Sequence, residues 1–158
     1  MGSSEKLRLL LDTSYLLPML GVEVEGVEPV LELLASLYNS GLLEAYYSRF
    51  SILEMLGKIS RLRYDPEIVE RGLAYILEKL VEAEPGVEAY MMALRLRSRG
   101  FSDLIDLLLY STAATRGLKL LTRDDALISF LERSGVSLDH VVHEDELLER
   151  YGKRVGAK

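Results

Sequence analysis

The segment Leu7-Arg8-Leu9-Leu10-Leu11 is a short, nearly continuous apolar run that stops at Asp12. Five residues are too few for a buried helix, and a run without strict alternation is the pattern of a strand covered on both faces. Such a strand needs helices above and below it, and the rest of the chain supplies them. Val27 to Ser40 carries Val27, Val30, Leu31, Leu34 and Leu37 at helical spacing and stops near Gly41. Further helices are predicted over Thr13 to Leu20, Ser51 to Leu62, Pro66 to Ala83 (opened by Asp65-Pro66), Val87 to Arg99, Ser102 to Arg116, Arg123 to Arg133 and Glu144 to Tyr151. Strands are predicted at Glu44 to Ser48, Leu118 to Leu121 and His140 to Val142. Strands alternating with helices give an α/β domain: a three-layer α/β/α sandwich on a central parallel sheet of four to five strands. In 158 residues with no internal repeat this is one domain, over 7–151, with tails at 1–6 and 152–158.

Composition narrows the chemistry. The chain has no Cys, which excludes disulfides, thiolate metal sites and cysteine nucleophiles. It has two histidines, His140 and His143, too few for an imidazole-rich metal site and a poor start for a Ser/His triad. The longest stretch free of Asp, Glu, Lys and Arg, Leu33 to Leu43, is 11 residues, about half of what spans a bilayer. The opening MGSS lacks the apolar region of a signal peptide. A soluble, cytoplasmic protein with no membrane contact is expected. Gln is absent and Asn occurs once, the depletion seen in thermophile proteins.

Four acids stand at places where topology matters. Asp12 ends the first strand, Glu54 lies one turn into the helix after the second, and Asp124 follows the third in LKLLTRDDAL. Asp106 opens a helix in FSDLIDLLLYSTAATRG, and a right-handed wrap brings that helix start to the same rim. Local alternatives exist for each: Asp12 as an N-cap, and Glu54 in a capping box with Ser51. Ser102 reads as the cap of the Asp106 helix. Asp125 reads as the capping residue of the next helix, with Thr122, which leaves Asp124 free. Four like charges on one rim repel unless a cation neutralises them, and an oxygen-only donor set suits Mg²⁺ or Mn²⁺. A hard divalent ion with open positions suits phosphoryl chemistry.

The pattern LLLDTSYLL, then LEM around Glu54, then DLLLYSTAATRGLKLLTRDDAL resembles the PIN-domain ribonucleases, including VapC-like toxins of toxin–antitoxin pairs. The resemblance spans Leu7 to Val142. It implies a PIN-like fold and makes Asp12, Glu54, Asp106 and Asp124 the catalytic and metal-binding acids, with Thr13, Ser14, Thr122 and Asp125 auxiliary. It implies further a metal-dependent endoribonuclease, an RNA substrate, a homodimer and an antitoxin partner. Leu107 stands where the family often has Ala, and Asp103, one turn before Asp106, competes as a metal ligand. The alternative is a PIN-like scaffold or RNA-binding module without catalysis. A haloacid-dehalogenase phosphatase would need a second Asp at position 14, which is Ser14.

The net charge of −6 opposes nucleic-acid binding in bulk, yet two segments are basic. Arg49 to Arg63 holds four basic residues against Glu54, and Arg95 to Arg123 holds six against Asp103 and Asp106. Arg49, Arg99 and Arg123 adjoin the acids in sequence and are expected to hold substrate phosphates, with salt bridges to the rim acids as the alternative. Tyr46, Tyr47 and Tyr110 read as buried aromatics, and the stripe Tyr90, Met91, Leu94 reads as core packing.

Overall fold

The computed structural model of the chain describes residues 5–156; residues 1–4 and 157–158, the outer parts of the expected tails, lie outside them. Five strands form one sheet: β1 (Leu7–Leu11), β2 (Leu43–Tyr47), β3 (Val81–Glu82), β4 (Lys119–Thr122) and β5 (Val141–His143). Every pairing is parallel and the order is β3-β2-β1-β4-β5. Among the described residues eight α-helices surround the sheet: α1 (Thr13–Leu16), α2 (Glu28–Asn39), α3 (Arg49–Ile59), α4 (Pro66–Lys79), α5 (Val87–Arg97), α6 (Leu104–Arg116), α7 (Asp125–Arg133) and α8 (Glu144–Gly156).

The strands alternate between two cores, as their two-residue period requires. Leu9, Leu11, Ala45, Tyr47 and Leu121 face a layer built from α1, α2, α4 and α8, with Met55 and Ile59 of α3. Leu10, Tyr46 and Leu120 face the opposite layer of α5, α6 and α7. The expected sandwich is thus present, and Tyr46, Tyr47 and Tyr110 are buried.

Three differences from the sequence expectation go beyond shifts of a few residues at element ends. The helix expected over Thr13 to Leu20 is one α turn followed by a 3₁₀ turn, Leu17–Leu20, because Pro18 has no N–H to continue an α-helix. The helix expected to reach Ala83 stops at Lys79, where Leu80 turns extended (φ −95°, ψ 157°). The freed segment pairs with β2 as the edge strand β3, and the Ala83 N–H donates to the Tyr47 carbonyl at 2.8 Å. The last helix continues past Tyr151 to Gly156. Gly72 lets α4 settle on the 3₁₀ turn, since a Cβ there would collide with the Met19 carbonyl.

The chain leaves β1 for β2 and β3 on one side, then returns to β4 and β5 on the other. The reversal lies between β1 and β4, and at such a switch point a crevice opens at the carboxyl ends of the strands.

Candidate active site

Asp12 stands at that crevice. Leaving β1, its backbone turns extended (φ −67°, ψ 163°), its N–H donates to the Leu121 carbonyl of β4 at 3.4 Å, and its Oδ1 accepts the Thr13 N–H at 2.6 Å. It is therefore an N-cap and a rim acid together. The Thr13 hydroxyl, buried, lies 3.0 Å from Asp12 Oδ1 and 2.9 Å from Glu54 Oε1. One hydroxyl proton serves two carboxylates, which ties β1 to α3.

Glu54 has no capping role. Ser48 caps α3 by accepting the Phe50 N–H, so the helix starts three residues earlier than the Ser51 box would place it, and Ser51 is interior. Two other caps are corrected likewise. Asp103, rather than Ser102, caps α6 by accepting the Asp106 N–H at 3.1 Å. Asp124, rather than Asp125, caps α7 by accepting the Ala126 and Leu127 N–H groups at 3.0 and 3.2 Å. Short aspartates at the residue before the first helical turn reach these donors; a residue inside the turn does not. Thr122, fully buried, accepts the Asp124 N–H at 3.0 Å, and exposed Asp125 instead approaches His143 Nε2 at 3.1 Å. Ser14 is half-buried.

The rim acids sense one another. Burial, offset in part by the two Thr13 hydrogen bonds, pushes the Asp12 carboxyl above its ordinary value, and the charges of Glu54 and Asp124 push it the same way. Asp106 is pushed up to about 8, first by burial and then by the charges of Asp12, Asp103, Asp124 and Glu54. Its carboxylate accepts no hydrogen bond from any described residue. The capping aspartates use only Oδ1, so Asp12 and Asp124 each present a second oxygen that accepts none either.

Among the described residues no three His, Asp or Glu side chains are already disposed to hold an ion. The Oδ1 atoms of Asp12, Asp103 and Asp124 each accept backbone N–H groups. The donor chemistry nevertheless fits a hard cation: oxygen atoms only, net negative, with unshared oxygens on Asp12, Glu54, Asp106 and Asp124.

The three arginines expected beside the acids are engaged elsewhere. Arg49 pairs with Glu82 at 2.6 Å and approaches Glu84 at 3.8 Å beyond β3. Arg99 donates to the Ser134 carbonyl at 2.8 Å. Arg123 turns to Glu144 at 3.3 Å and to the Glu25 carbonyl at 2.9 Å. None of the three pairs with a rim acid. Sequence reading missed Glu144, which is 7% exposed, and its partner Tyr15. Glu144, Asp145 and Glu146 form one acidic first turn, and nothing in that triplet distinguishes the member that points inward.

The class that fold and site define is a parallel α/β domain with an acidic crevice where its chain reverses. A PIN domain family model matches residues 9–132, and the chain belongs to the PIN domain family, whose members are nucleases. No curated protein matches the sequence significantly. Among solved structures the chain is similar to VapBC2 from Rickettsia felis bound to a promoter DNA fragment (17% identity, TM-score 0.59, covering 87% of this chain and 98% of that one). It is also similar to a protein of Pyrobaculum aerophilum (18%, TM-score 0.60, 99% and 100%). A third likeness is to VapBC-5, of the toxin–antitoxin family VapBC, from Mycobacterium tuberculosis (18%, TM-score 0.53, 86% and 96%). No described helix is long and apolar enough to cross a membrane.

Proposed function

We propose that the chain is a divalent-metal-dependent endoribonuclease acting in the cytoplasm as the toxin of a toxin–antitoxin pair. The observation that carries the reading is the carboxylate cluster around Asp106: a half-buried carboxyl pushed up to about 8 by burial and by the charges of four other carboxylates, with no hydrogen-bond donor to it among the described residues. Clustered carboxylates repel one another, and a bound cation relieves that repulsion. Asp12, Glu54, Asp106 and Asp124 would hold Mg²⁺ or Mn²⁺. Asp103, whose Oδ1 caps α6 as those of Asp12 and Asp124 cap their own helices, is a further candidate ligand. A bound divalent ion supplies Lewis acidity toward a phosphate oxygen and acidifies water. The protein's own part is to fix the acids: the Thr13 hydroxyl holds Asp12 and Glu54 in register, and the Thr122 hydroxyl holds the Asp124 backbone. Ser14 and Asp125 line the same ends of the strands.

Arg49 and Arg99, both exposed, are the proposed contacts to RNA phosphates. A homodimer is supported by α5, where the stripe expected in the core, Tyr90, Met91 and Leu94, lies on the solvent side at 47%, 46% and 59% exposed, beside Val87 at 79%. The Phe50 and Tyr90 rings meet edge-on at 6.4 Å, carrying this apolar face onto α3 and its exposed Leu53. An antitoxin partner is supported by the structural likeness to proteins solved as VapBC complexes.

The test is cleavage of single-stranded and structured RNA by purified protein with Mg²⁺ or Mn²⁺, then with excess EDTA. Metal-dependent cleavage that disappears in Asp12→Asn and Asp106→Asn is expected. Cleavage insensitive to chelation overturns the mechanism, and no cleavage of any substrate leaves the scaffold reading.

A further inference from the structure

Behind the rim stands a second cluster of charge whose partners are complete. Glu144 opens α8 at the end of β5 and is nearly inaccessible to solvent. Its Oε1 accepts the Tyr15 hydroxyl at 2.7 Å, and its Oε2 accepts Arg123 Nη2 at 3.3 Å. The other arm of Arg123 donates to the Glu25 carbonyl at 2.9 Å. Gly26, at φ 76°, leaves the guanidinium its place, since a Cβ there would stand 3.3 Å from Nη2.

The two groups that Glu144 holds come from opposite sides of the crevice. Tyr15 is fully buried and follows Asp12 by three residues, on the single turn of α1 that Asp12 caps. Arg123 lies between Thr122 and Asp124, at the exit of β4. One carboxylate therefore fastens the Asp12 turn to the Asp124 turn. A buried ion pair adds little net stability over apolar residues of the same shape. What it adds is directional constraint on both donors, the property that outer groups of a metal site contribute to the ligands.

We propose that Glu144 is a positioning residue that, through Tyr15 and Arg123, sets the placement of the Asp12 and Asp124 carboxylates and hence the fit of the site to its ion. The catalytic part of this inference rests on the nuclease reading; the positional part does not. The protein offers reporters independent of both metal and RNA: the Thr13 N–H bonded to Asp12, and the Ala126 and Leu127 N–H groups bonded to Asp124. The Glu67 N–H, bonded to Asp65 at the start of α4, is the remote control.

Amide spectra of the full chain, Mn²⁺ titration calorimetry and RNA cleavage would be recorded for Glu144→Gln, Tyr15→Phe and Arg123→Lys. In Glu144→Gln all three reporters should shift while Glu67 stays, the Mn²⁺ dissociation constant should rise roughly tenfold, and kcat should fall with KM little changed. Tyr15→Phe should move Thr13 alone, and Arg123→Lys should move Ala126 and Leu127 alone. A lowered melting temperature with unmoved reporters and unchanged Mn²⁺ affinity overturns the proposal and makes Glu144 a fastener only. If Glu144→Gln does not fold, the two milder variants decide by the same amides. A wild-type protein that neither binds Mn²⁺ nor cuts RNA sinks the nuclease reading, while the reporters still decide the positioning.

Discussion

Glu144 and Asp106 are both acids drawn out of solvent at the carboxyl edge of one sheet, and they are treated in opposite ways. Glu144 faces a guanidinium and a hydroxyl, so each of its oxygens has a donor. Asp106 faces Asp12, Glu54, Asp103 and Asp124, and no described group donates to its carboxylate. Within one small region the fold thus balances one carboxylate and leaves another unbalanced. The difference separates an acid that builds from an acid that waits for a ligand: removing the first should harm the fold, and removing the second should relieve it.

The largest effect expected is on the balanced side. Glu144→Ala leaves the Arg123 guanidinium without its anion and the Tyr15 hydroxyl without an acceptor, and should lower stability by about 3 kcal/mol in chemical denaturation. A loss under about 1 kcal/mol would mean that solvent reaches Arg123 and compensates it.

On the unbalanced side the sign reverses. The unfolded Asp106 carboxyl titrates near its ordinary value and the folded one at about 8. Between those values the folded protein retains a proton that the unfolded chain has released, so stability is full at low pH and falls as pH rises toward 8. Asp106→Asn should flatten that decline and melt higher than wild type at pH 8, by roughly 2–4 °C for each kcal/mol recovered. Thermal melts between pH 4 and 8.5 check it, and a variant that melts lower at pH 8 would place Asp106 with Glu144 among the structural acids.

A smaller effect is expected where the two regimes meet. Thr13→Val keeps the shape of a buried side chain but removes the proton shared by Asp12 and Glu54, and should lower stability by about 1 kcal/mol. Smallest of all is Asp103→Asn, because Asn caps a helix as well as Asp does. It should leave the melting temperature nearly unchanged and reduce RNA cleavage less than Asp106→Asn does; the reverse order would make Asp103 the principal ligand.

The layered fold was legible because strand and helix periods are long-range patterns that single residues do not disturb. LRLLL could only be a strand covered on both faces, and the reversal between β1 and β4 brought Asp12 and Asp124 to one rim. What was illegible turned on distinctions of one to three residues. Whether Ser48 or Ser51, Ser102 or Asp103, Asp124 or Asp125 caps a helix depends on the backbone angle at one position. β3 is two residues long and carries no period at all. The apolar stripe of α5 has the spacing of a core face, and only the packing of Ala89, Ala93 and Leu96 reveals that the opposite side of the helix is the buried one. Glu144 was hidden for a different reason: the contacts that single it out are distant in sequence, at Tyr15, 129 residues away, and Arg123, 21 residues away.

The place of β1 between β2 and β4 also orders events in time. Asp12 is synthesised early, but its neighbour strand β4 and the acid Asp124 come roughly a hundred residues later, and closing so long a loop carries an entropic penalty that only the completed sheet offsets. A nascent chain still lacking β4 has neither Asp124 nor the crevice between β1 and β4. Under the proposed nuclease reading, this strand order would leave the site incomplete until translation has passed Asp124, the last of the four acids.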